Sequence, residues 1–245
     1  MALPKNQSPV YPLTIPSTSQ DVKFRPFVVK DEKALMLAMQ SENESTMVNT
    51  LRDLIKSCVE DEIAVDRLAT FDLEYIFAQM RGKSVGEMVE LIGKCDNEEA
   101  GCVDNPKAQV KLQIDITQIP VTFPEGHNKR IDLWGDVGVV MKYPTIETMM
   151  KYQGMVAEDA DPDKVFEIVM DSMETIYEGD ELHYIKDQTL EEVNEFINNL
   201  TSEQFLKVRE FFETIPKMTK TIEYTCPNCG REHKKTLEGL QSFFG

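Results

Sequence analysis

Two short cysteine-bearing loops, far apart in the sequence, constrain what this chain can fold into more than any other feature. The first holds Cys95 and Cys102, and the second is Cys226-Pro-Asn-Cys229-Gly230. Each loop lies between two segments with the period-two alternation of β-strands. In a rubredoxin-like knuckle, a Cys-x-x-Cys turn directs two thiolates at one point, and a following glycine permits the backbone to curl. The second loop fits this pattern.

One knuckle supplies two ligands, whereas a structural zinc ion needs four. The first loop offers the other pair, although its six-residue gap is wider than the usual two to four. We therefore predict a zinc-ribbon-like site in which Cys95, Cys102, Cys226 and Cys229 bind one structural Zn²⁺. Two alternatives stay open, namely fewer cysteines combined with His233, and a metal-free knuckle. Thiol redox chemistry is disfavoured because a thioredoxin-type motif begins a helix rather than lying in a hairpin loop.

The remaining cysteine, Cys58, lies on the apolar face of a predicted helix over residues 43–59, which indicates a buried thiol. An odd cysteine count and the lack of an apolar leader at the N-terminus argue against a secreted, disulfide-bonded protein. The apolar stretches are all much shorter than the roughly 20 residues of a membrane-spanning helix. These features predict a soluble, intracellular protein without membrane association.

The chain is strongly acidic, with 43 Asp and Glu against 26 Lys and Arg and a formal net charge of −17. Nucleic-acid binders usually present a basic face, since neutralising phosphates supplies much of their affinity. The charge therefore opposes nucleic acid as a partner and favours a basic protein surface. A zinc-ribbon nucleic-acid-binding protein is the alternative class, and the net charge weighs against it.

The periodicity predicts an α+β fold that is mostly helical, with short antiparallel hairpins and the four-cysteine knuckle pair. Alternating residues predict an N-terminal hairpin between 11 and 27 and further strands at 85–92, 109–116, 130–142 and 220–237. Helical patterns cover 31–40, 43–59, 70–80, 145–153, 163–176, 189–199 and 202–214. Capping boxes start two of these helices, at Thr189 with Glu192 and at Thr201 with Gln204.

This pattern divides the chain into three units. Residues 1–84 form a hairpin with helices, 85–143 and 217–245 form the zinc-ribbon-like β unit, and 144–216 form a helical insertion. The apolar terminal segments 10–27 and 240–244 are candidate docking surfaces, since exposed apolar termini need a partner.

The sequence contains no motif that predicts an enzyme. Its three histidines are His127, His183 and His233, and none belongs to a His-Glu-x-x-His pattern. The phosphate-binding loop, the Gly-x-Gly-x-x-Gly pattern and the Gly-x-Ser-x-Gly elbow are also absent from the sequence. A catalytic zinc ion keeps an open position, whereas four thiolates would close the site. We predict a non-enzymatic protein.

Several stretches of the chain resemble the T4-type baseplate protein family. They include Phe24-Arg-Pro-Phe-Val-Val-Lys-Asp-Glu-Lys33, Thr70-Phe-Asp-Leu-Glu-Tyr-Ile-Phe-Ala-Gln-Met-Arg-Gly-Lys-Ser-Val-Gly86, the opening Met1-Ala-Leu-Pro4 and the ending Leu237-Glu-Gly-Leu-Gln-Ser-Phe-Phe244. The knuckle that follows the Lys-Ser-Val-Gly strand belongs to the same resemblance. Similar proteins have a compact Cys-x-x-Cys there, whereas six residues separate Cys95 from Cys102 in this chain.

Members of that family are described as baseplate hub subunits or hub assembly chaperones of contractile-tailed phages. The resemblance implies a hub assembly factor or hub component that acts by protein–protein binding without catalysis. Its expected partners are other baseplate hub and tail proteins, and its expected location is the host cytoplasm during assembly or the tail baseplate of the virion. Nothing in the sequence indicates a homo-oligomer.

Overall fold

A computed structural model describes residues 8–41, 44–151, 162–239 and 242. The structure is α+β, as the sequence predicts, but the prediction of a mostly helical chain is wrong. It is 40% helical and 29% strand, and the described residues form four small antiparallel sheets. Within these residues, no helix has the length and apolar character needed to cross a membrane.

The helices are α1 (Val29–Gln40), α2 (Glu44–Cys58), α3 (Thr70–Ser84), α4 (Ile146–Lys151), α5 (Pro162–Asp171), α6 (Leu190–Asn198) and α7 (Ser202–Glu213). The strands are β1 (Tyr11–Thr14), β2 (Asp21–Phe24), β3 (Met88–Gly93), β4 (Val110–Asp115), β5 (Val121–Thr122), β6 (Arg130–Trp134), β7 (Val137–Met141), β8 (Met173–Glu178), β9 (Glu181–Tyr184), β10 (Lys217–Thr225) and β11 (Glu232–Glu238). The pairings are β1–β2, β3–β4, β6–β7–β8–β9 and β5–β10–β11.

The N-terminal hairpin belongs to the first hydrophobic core, together with α2 and α3. Ile15 is fully buried and Phe24 is 2% exposed. Asp72, also fully buried, accepts hydrogen bonds from the Ser17 amide at 2.9 Å and the Ser17 hydroxyl at 2.5 Å. Most apolar residues of the segment 10–27 are therefore buried in this core and are not available for docking, whereas Val10 remains 42% exposed. The other predicted docking segment, 240–244, lies outside the described residues apart from Ser242.

Helix α3 extends to Ser84, beyond the predicted range of 70–80, and Gly82 lies within it. A Cβ atom on Gly82 would collide with the Thr117 side chain in the turn after β4. The glycine is therefore needed for close packing between α3 and that turn, and not for a left-handed helix end. At the start of the helix, the Asp72 carboxylate accepts a hydrogen bond from the Ala69 amide at 3.2 Å, which completes the N-terminal cap.

The predicted helix over residues 163–176 is wrong in its last third. Helix α5 ends at Asp171, and β8 then runs antiparallel to both β7 and β9. Gly179 has a positive φ of 59°, which suits the tight turn between β8 and β9. These two strands convert the predicted β6–β7 pair into a four-stranded sheet.

The four-stranded sheet packs against α5, α6 and α7 in a second core. This core includes Val139, Met173, Val193 and Phe211. Both predicted capping boxes are confirmed: Thr189 and Glu192 start α6, and Thr201 and Gln204 start α7.

A third core lies between α3, the β3–β4 ribbon and the C-terminal hairpin. It buries Ala78, Val89, Ile116 and Met218, each 8% exposed or less. The β3–β4 ribbon and the β10–β11 hairpin thereby face each other, although more than a hundred residues separate them in the sequence. The three-unit division of the chain stays a prediction.

Candidate metal centre

The first cysteine loop connects β3 to β4 and is folded by its own hydrogen bonds. Asn97 organises it, since its side-chain oxygen accepts from the Ala100 amide at 3.2 Å and its carbonyl accepts from the Cys102 amide at 3.0 Å. Gly101 adopts a positive φ of 60°, the conformation that glycine tolerates best. The six-residue gap is thus compacted into a turn, and both Cys95 and Cys102 are buried.

The second cysteine loop is the tip of the β10–β11 hairpin. The Cys226 amide donates to the Arg231 carbonyl at 2.8 Å, and the Gly230 amide donates to the Cys226 carbonyl at 2.9 Å. Gly230 has a positive φ of 73°, as the knuckle pattern predicts. Cys226 is buried and Cys229 is half-buried.

The four cysteines of the two loops lie together in the structure. The Sγ atoms of Cys95 and Cys229 are 3.8 Å apart, as are those of Cys102 and Cys226. All four Sγ atoms lie within 4.8 Å of one another. The expectation that the two loops converge on one point is therefore confirmed.

The spacing of the sulfur atoms fits a tetrahedral metal site. Four ligands about 2.3 Å from a central zinc ion stand about 3.8 Å apart along the edges of the tetrahedron. The two separations of 3.8 Å match that edge and are far longer than a disulfide bond of about 2.04 Å, and the other sulfur–sulfur distances are at most 4.8 Å. All five cysteines of the chain are free thiols. A soft, all-sulfur donor set of this geometry suits zinc.

The thiols of Cys95 and Cys226 differ in pKa because their surroundings differ. Burial raises the pKa of the Cys95 thiol to about 12. Burial also acts to raise the pKa of Cys226, but hydrogen bonds from the backbone amides of Cys229 and Asn228 outweigh it and lower the value to about 7. Cys226 therefore becomes a thiolate more readily than Cys95, and thiolate is the form that binds metal.

Polar side chains around the cysteines connect the two loops. The Asn228 side-chain amide donates to Cys102 Sγ at 3.2 Å and to the Ala100 carbonyl at 3.1 Å. Arg231 forms an ion pair with Asp96 at 3.3 Å. No sequence pattern predicted a role for these residues or for Asn97, because a single polar residue in a loop carries no signal for such a role.

His233 lies beside the cysteine cluster, but its ring nitrogens do not belong to the group formed by the four sulfur atoms. One of its ring nitrogens lies within 4.8 Å of Cys95 Sγ and of an Asp96 carboxylate oxygen. Its Nε2 atom is buried, and it has no hydrogen-bond partner among the described residues. The ring stacks on Tyr224 with 4.9 Å between centroids. His233 is thus near enough to influence the site, while the four sulfurs supply the four donors that a tetrahedral zinc site needs.

Cys58 lies apart from this cluster, as predicted. It is fully buried in the first core at the end of α2, and burial raises its pKa. An inert, buried thiol of this kind is a packing residue.

The fold and the cysteine cluster define an α+β protein in which the β3–β4 ribbon and the β10–β11 hairpin meet at a candidate metal site. Residues 8–245 match the model of the family described as T4 bacteriophage base plate protein. The chain belongs to this family, which confirms the resemblance, and its role is in the structure or assembly of a phage baseplate. The searches found no similar curated protein and no similar solved structure.

Proposed function

We propose that the protein helps to build the central hub of the phage baseplate, as a hub assembly factor or a hub component. It acts by stoichiometric binding to other baseplate hub and tail proteins. The family match over residues 8–245 carries this proposal, because it covers nearly the whole chain. The protein works in the host cytoplasm during assembly and at the tail baseplate.

We further propose that Cys95, Cys102, Cys226 and Cys229 hold one structural zinc ion. The support is the tetrahedral spacing of their sulfur atoms and the burial of three of them. A bound ion would hold the β3–β4 loop against the tip of the β10–β11 hairpin. Metal-binding free energy would then contribute to folding free energy.

The proposed activity is binding and not catalysis. Four thiolates around one zinc ion leave no open position for a substrate or an activated water molecule. In such a site the zinc ion stabilises the fold of a binding protein and takes no part in catalysis.

The test is a phage in which this gene is inactivated, with the wild-type gene supplied on a plasmid as the control. We expect infected cells to accumulate no complete baseplates, and the plasmid copy to restore them. Affinity purification of the plasmid-encoded protein should recover hub and tail proteins in fixed ratios. Normal baseplates in the absence of the gene product would contradict the proposal.

Two further measurements refine the proposal. Mass spectrometry of purified virions separates a hub component, which stays in the particle, from an assembly factor, which leaves it. Filter binding at low salt tests the alternative class, since micromolar affinity for DNA would support a nucleic-acid-binding protein despite the charge of −17.

A further inference from the structure

One end of the four-stranded sheet carries a row of side chains that crosses all four strands. Trp134 on β6 is opposite Val137 on β7, Val137 is opposite Glu178 on β8, and Glu178 is opposite Glu181 on β9. Residues directly opposite each other in antiparallel strands point to the same face of the sheet. The row is therefore apolar at its β6 end and acidic at its β9 end.

Helix α6 leaves this row open as a groove. The cavity of about 370 Å³ lies between the sheet and α6, with Trp134, Val137 and Ile176 on one side and Val193 and Phe196 on the other. The Trp134 ring stacks on Phe196 with 6.0 Å between centroids, yet 44% of Trp134 remains exposed. An exposed tryptophan already held by a second aromatic ring is a preorganised contact for a partner.

The charge of the groove has one sign. Among the described residues that line it, Glu178 and Glu192 are acidic, His183 is the single titratable nitrogen base, and none is Lys or Arg. Hydrogen bonds from the Thr189 amide and hydroxyl lower the pKa of Glu192, so its carboxylate is ionised at neutral pH. Glu181 extends the acidic end onto the edge strand, and its side chain is 74% exposed.

We propose that this groove binds a cationic segment of another baseplate protein, with an aromatic or branched aliphatic residue on Trp134 and Lys or Arg beside Glu178 and Glu181. The inference rests on the proposed function, because it takes the partner to be a baseplate protein. A purely apolar segment would gain nothing from the negative charge of the two glutamates, and an acidic one would be repelled. A second copy of this chain is disfavoured by its net charge of −17.

The sheet geometry sets the spacing that the segment needs. Adjacent strands lie about 4.8 Å apart, so β6 and β9 are separated by about 14 Å and β6 and β8 by about 10 Å. An extended chain advances about 3.3 Å per residue, so the basic residues should stand about three and four positions along the chain from the apolar residue. A segment that crosses the strands can run in either direction. The apolar residue can therefore come before or after the basic residues, at the same spacing.

The test uses the intrinsic fluorescence of the full chain, since Trp134 is its only tryptophan. The probes are acetyl-Gly-Phe-Ser-Gly-Lys-Lys-Gly-amide and its reverse, acetyl-Gly-Lys-Lys-Gly-Ser-Phe-Gly-amide. One control replaces Phe by Ser, and the other replaces both Lys by Glu. We expect at least one probe to change the Trp134 emission saturably and both controls to bind at least about tenfold more weakly. Raising the salt from about 0.05 to 0.5 M should weaken binding of the probe several-fold.

A pair of variants isolates the acidic end of the groove. Glu178→Gln combined with Glu181→Gln should weaken binding of the probe by about tenfold. Glu60→Gln combined with Glu62→Gln removes the same charge from exposed positions after α2 and should leave binding unchanged. Circular dichroism of both double variants checks that the fold is retained.

The proposal is overturned if neither probe alters the emission at up to about 1 mM, a concentration that detects even very weak binding. Equal binding of the Ser control, or no effect of the Glu178 and Glu181 changes, would also overturn it, and so would self-association of the chain through this groove. If the probes fail while baseplate assembly still requires the gene, the groove is rejected and the proposed function stands.

Discussion

The ring of Tyr224, on the C-terminal hairpin, packs directly on the backbone of Gly93 at the end of β3. A Cβ atom at position 93 would lie 2.9 Å from Cε2 of the ring, closer than normal contact distance. The Tyr224 hydroxyl also donates to the Lys94 carbonyl at 2.8 Å. These two contacts fix the hairpin against the ribbon one and two residues before Cys95, so they align the two cysteine loops independently of any metal.

Gly93→Ala should therefore destabilise the protein by about 1–3 kcal/mol, because the added methyl group forces the Tyr224 ring away from β3. Chemical denaturation measures the change in the free energy of unfolding. The double-mutant cycle with Tyr224→Leu is the control, since a smaller flexible side chain leaves room for the methyl group. Equal effects of Gly93→Ala in both backgrounds would mean that the ring contact is not the cause.

The metal proposal predicts a specific response to losing one cysteine. Elemental analysis of the purified chain should find one zinc ion per molecule. Cys226→Ser should abolish stoichiometric zinc and lower the free energy of unfolding by about 3 kcal/mol or more, since binding energy is lost from the folded state. A melting temperature that neither this substitution nor a chelator changes would contradict bound metal.

Cys58→Ala is the matched control for that experiment. Cys58 is fully buried in the first core and lies outside the cysteine cluster. Its replacement leaves a small cavity and should lower stability modestly, while zinc content stays at one per chain. Zinc loss in this variant would show that unfolding in general, and not ligand removal, releases the ion.

The candidate site was predictable from the sequence because its signals are local. Cys226-Pro-Asn-Cys229-Gly230 specifies a knuckle through short-range backbone geometry, and strand-like flanks place Cys95 and Cys102 in a comparable loop. The supporting contacts were not predictable in the same way. The contact of Gly93 with Tyr224 and the hydrogen bond from Asn228 to Cys102 depend on how the ribbon and the hairpin meet, which no local pattern encodes.

The helix predicted over residues 163–176 was too long for a related reason, since its end depends on tertiary contacts. The apolar residues of α5 continue into β8 without a break in helical periodicity, so a period of 3.6 fits the whole stretch. The end of the helix is set by sheet pairing instead, since the Lys142 amide, just after β7, donates to the Ser172 carbonyl at 2.8 Å. Tertiary pairing thus overrides a local preference for helix. The dipeptide Gly179-Asp180 was the one local sign of a hairpin turn here. The acidic residues on either side of it favoured an exposed loop instead of strands.

Gly138, the second residue of β7, offers a second test of close packing. A Cβ atom there would collide with the Tyr177 hydroxyl and with the Ile131 carbonyl, and the latter is backbone that cannot rotate away. Gly138→Ala should therefore destabilise the four-stranded sheet by about 3 kcal/mol, at the upper end of the usual range for overpacking.

Tyr177→Phe in the same chain is the control for Gly138→Ala. It removes the hydroxyl that donates to the Asp132 carboxylate and to the Ile131 carbonyl at 3.2 Å. Measured against the Tyr177→Phe single variant, Gly138→Ala should then cost less, with the remaining loss due to Ile131. Denaturation monitored by Trp134 fluorescence reports on this sheet directly. An unchanged midpoint for Gly138→Ala would show that β6 and β7 separate easily.

His127 provides a prediction for the pH dependence of stability. The Thr214 hydroxyl donates to the Glu210 carbonyl at 2.8 Å, so its oxygen can accept from His127 Nδ1 at 2.9 Å. In the neutral imidazole, His127 Nε2 then accepts from the Tyr143 hydroxyl at 3.1 Å. Burial, with a smaller effect from Lys129, lowers the pKa of His127 below its ordinary value of 6.5.

Below pH 6.5 the unfolded chain therefore binds a proton at position 127 more readily than the folded chain does. The stability that neutral His127 contributes is fully present above that pH and is lost as the pH falls through the lowered pKa of the folded state. Urea unfolding at intervals between about pH 7.5 and 5 should show this decline, and His127→Gln should show a smaller one because the group no longer titrates. A pKa at or above 6.5 for His127 in the folded protein, measured by NMR titration of its ring protons, would contradict the assigned sign, since protonation would then stabilise the fold.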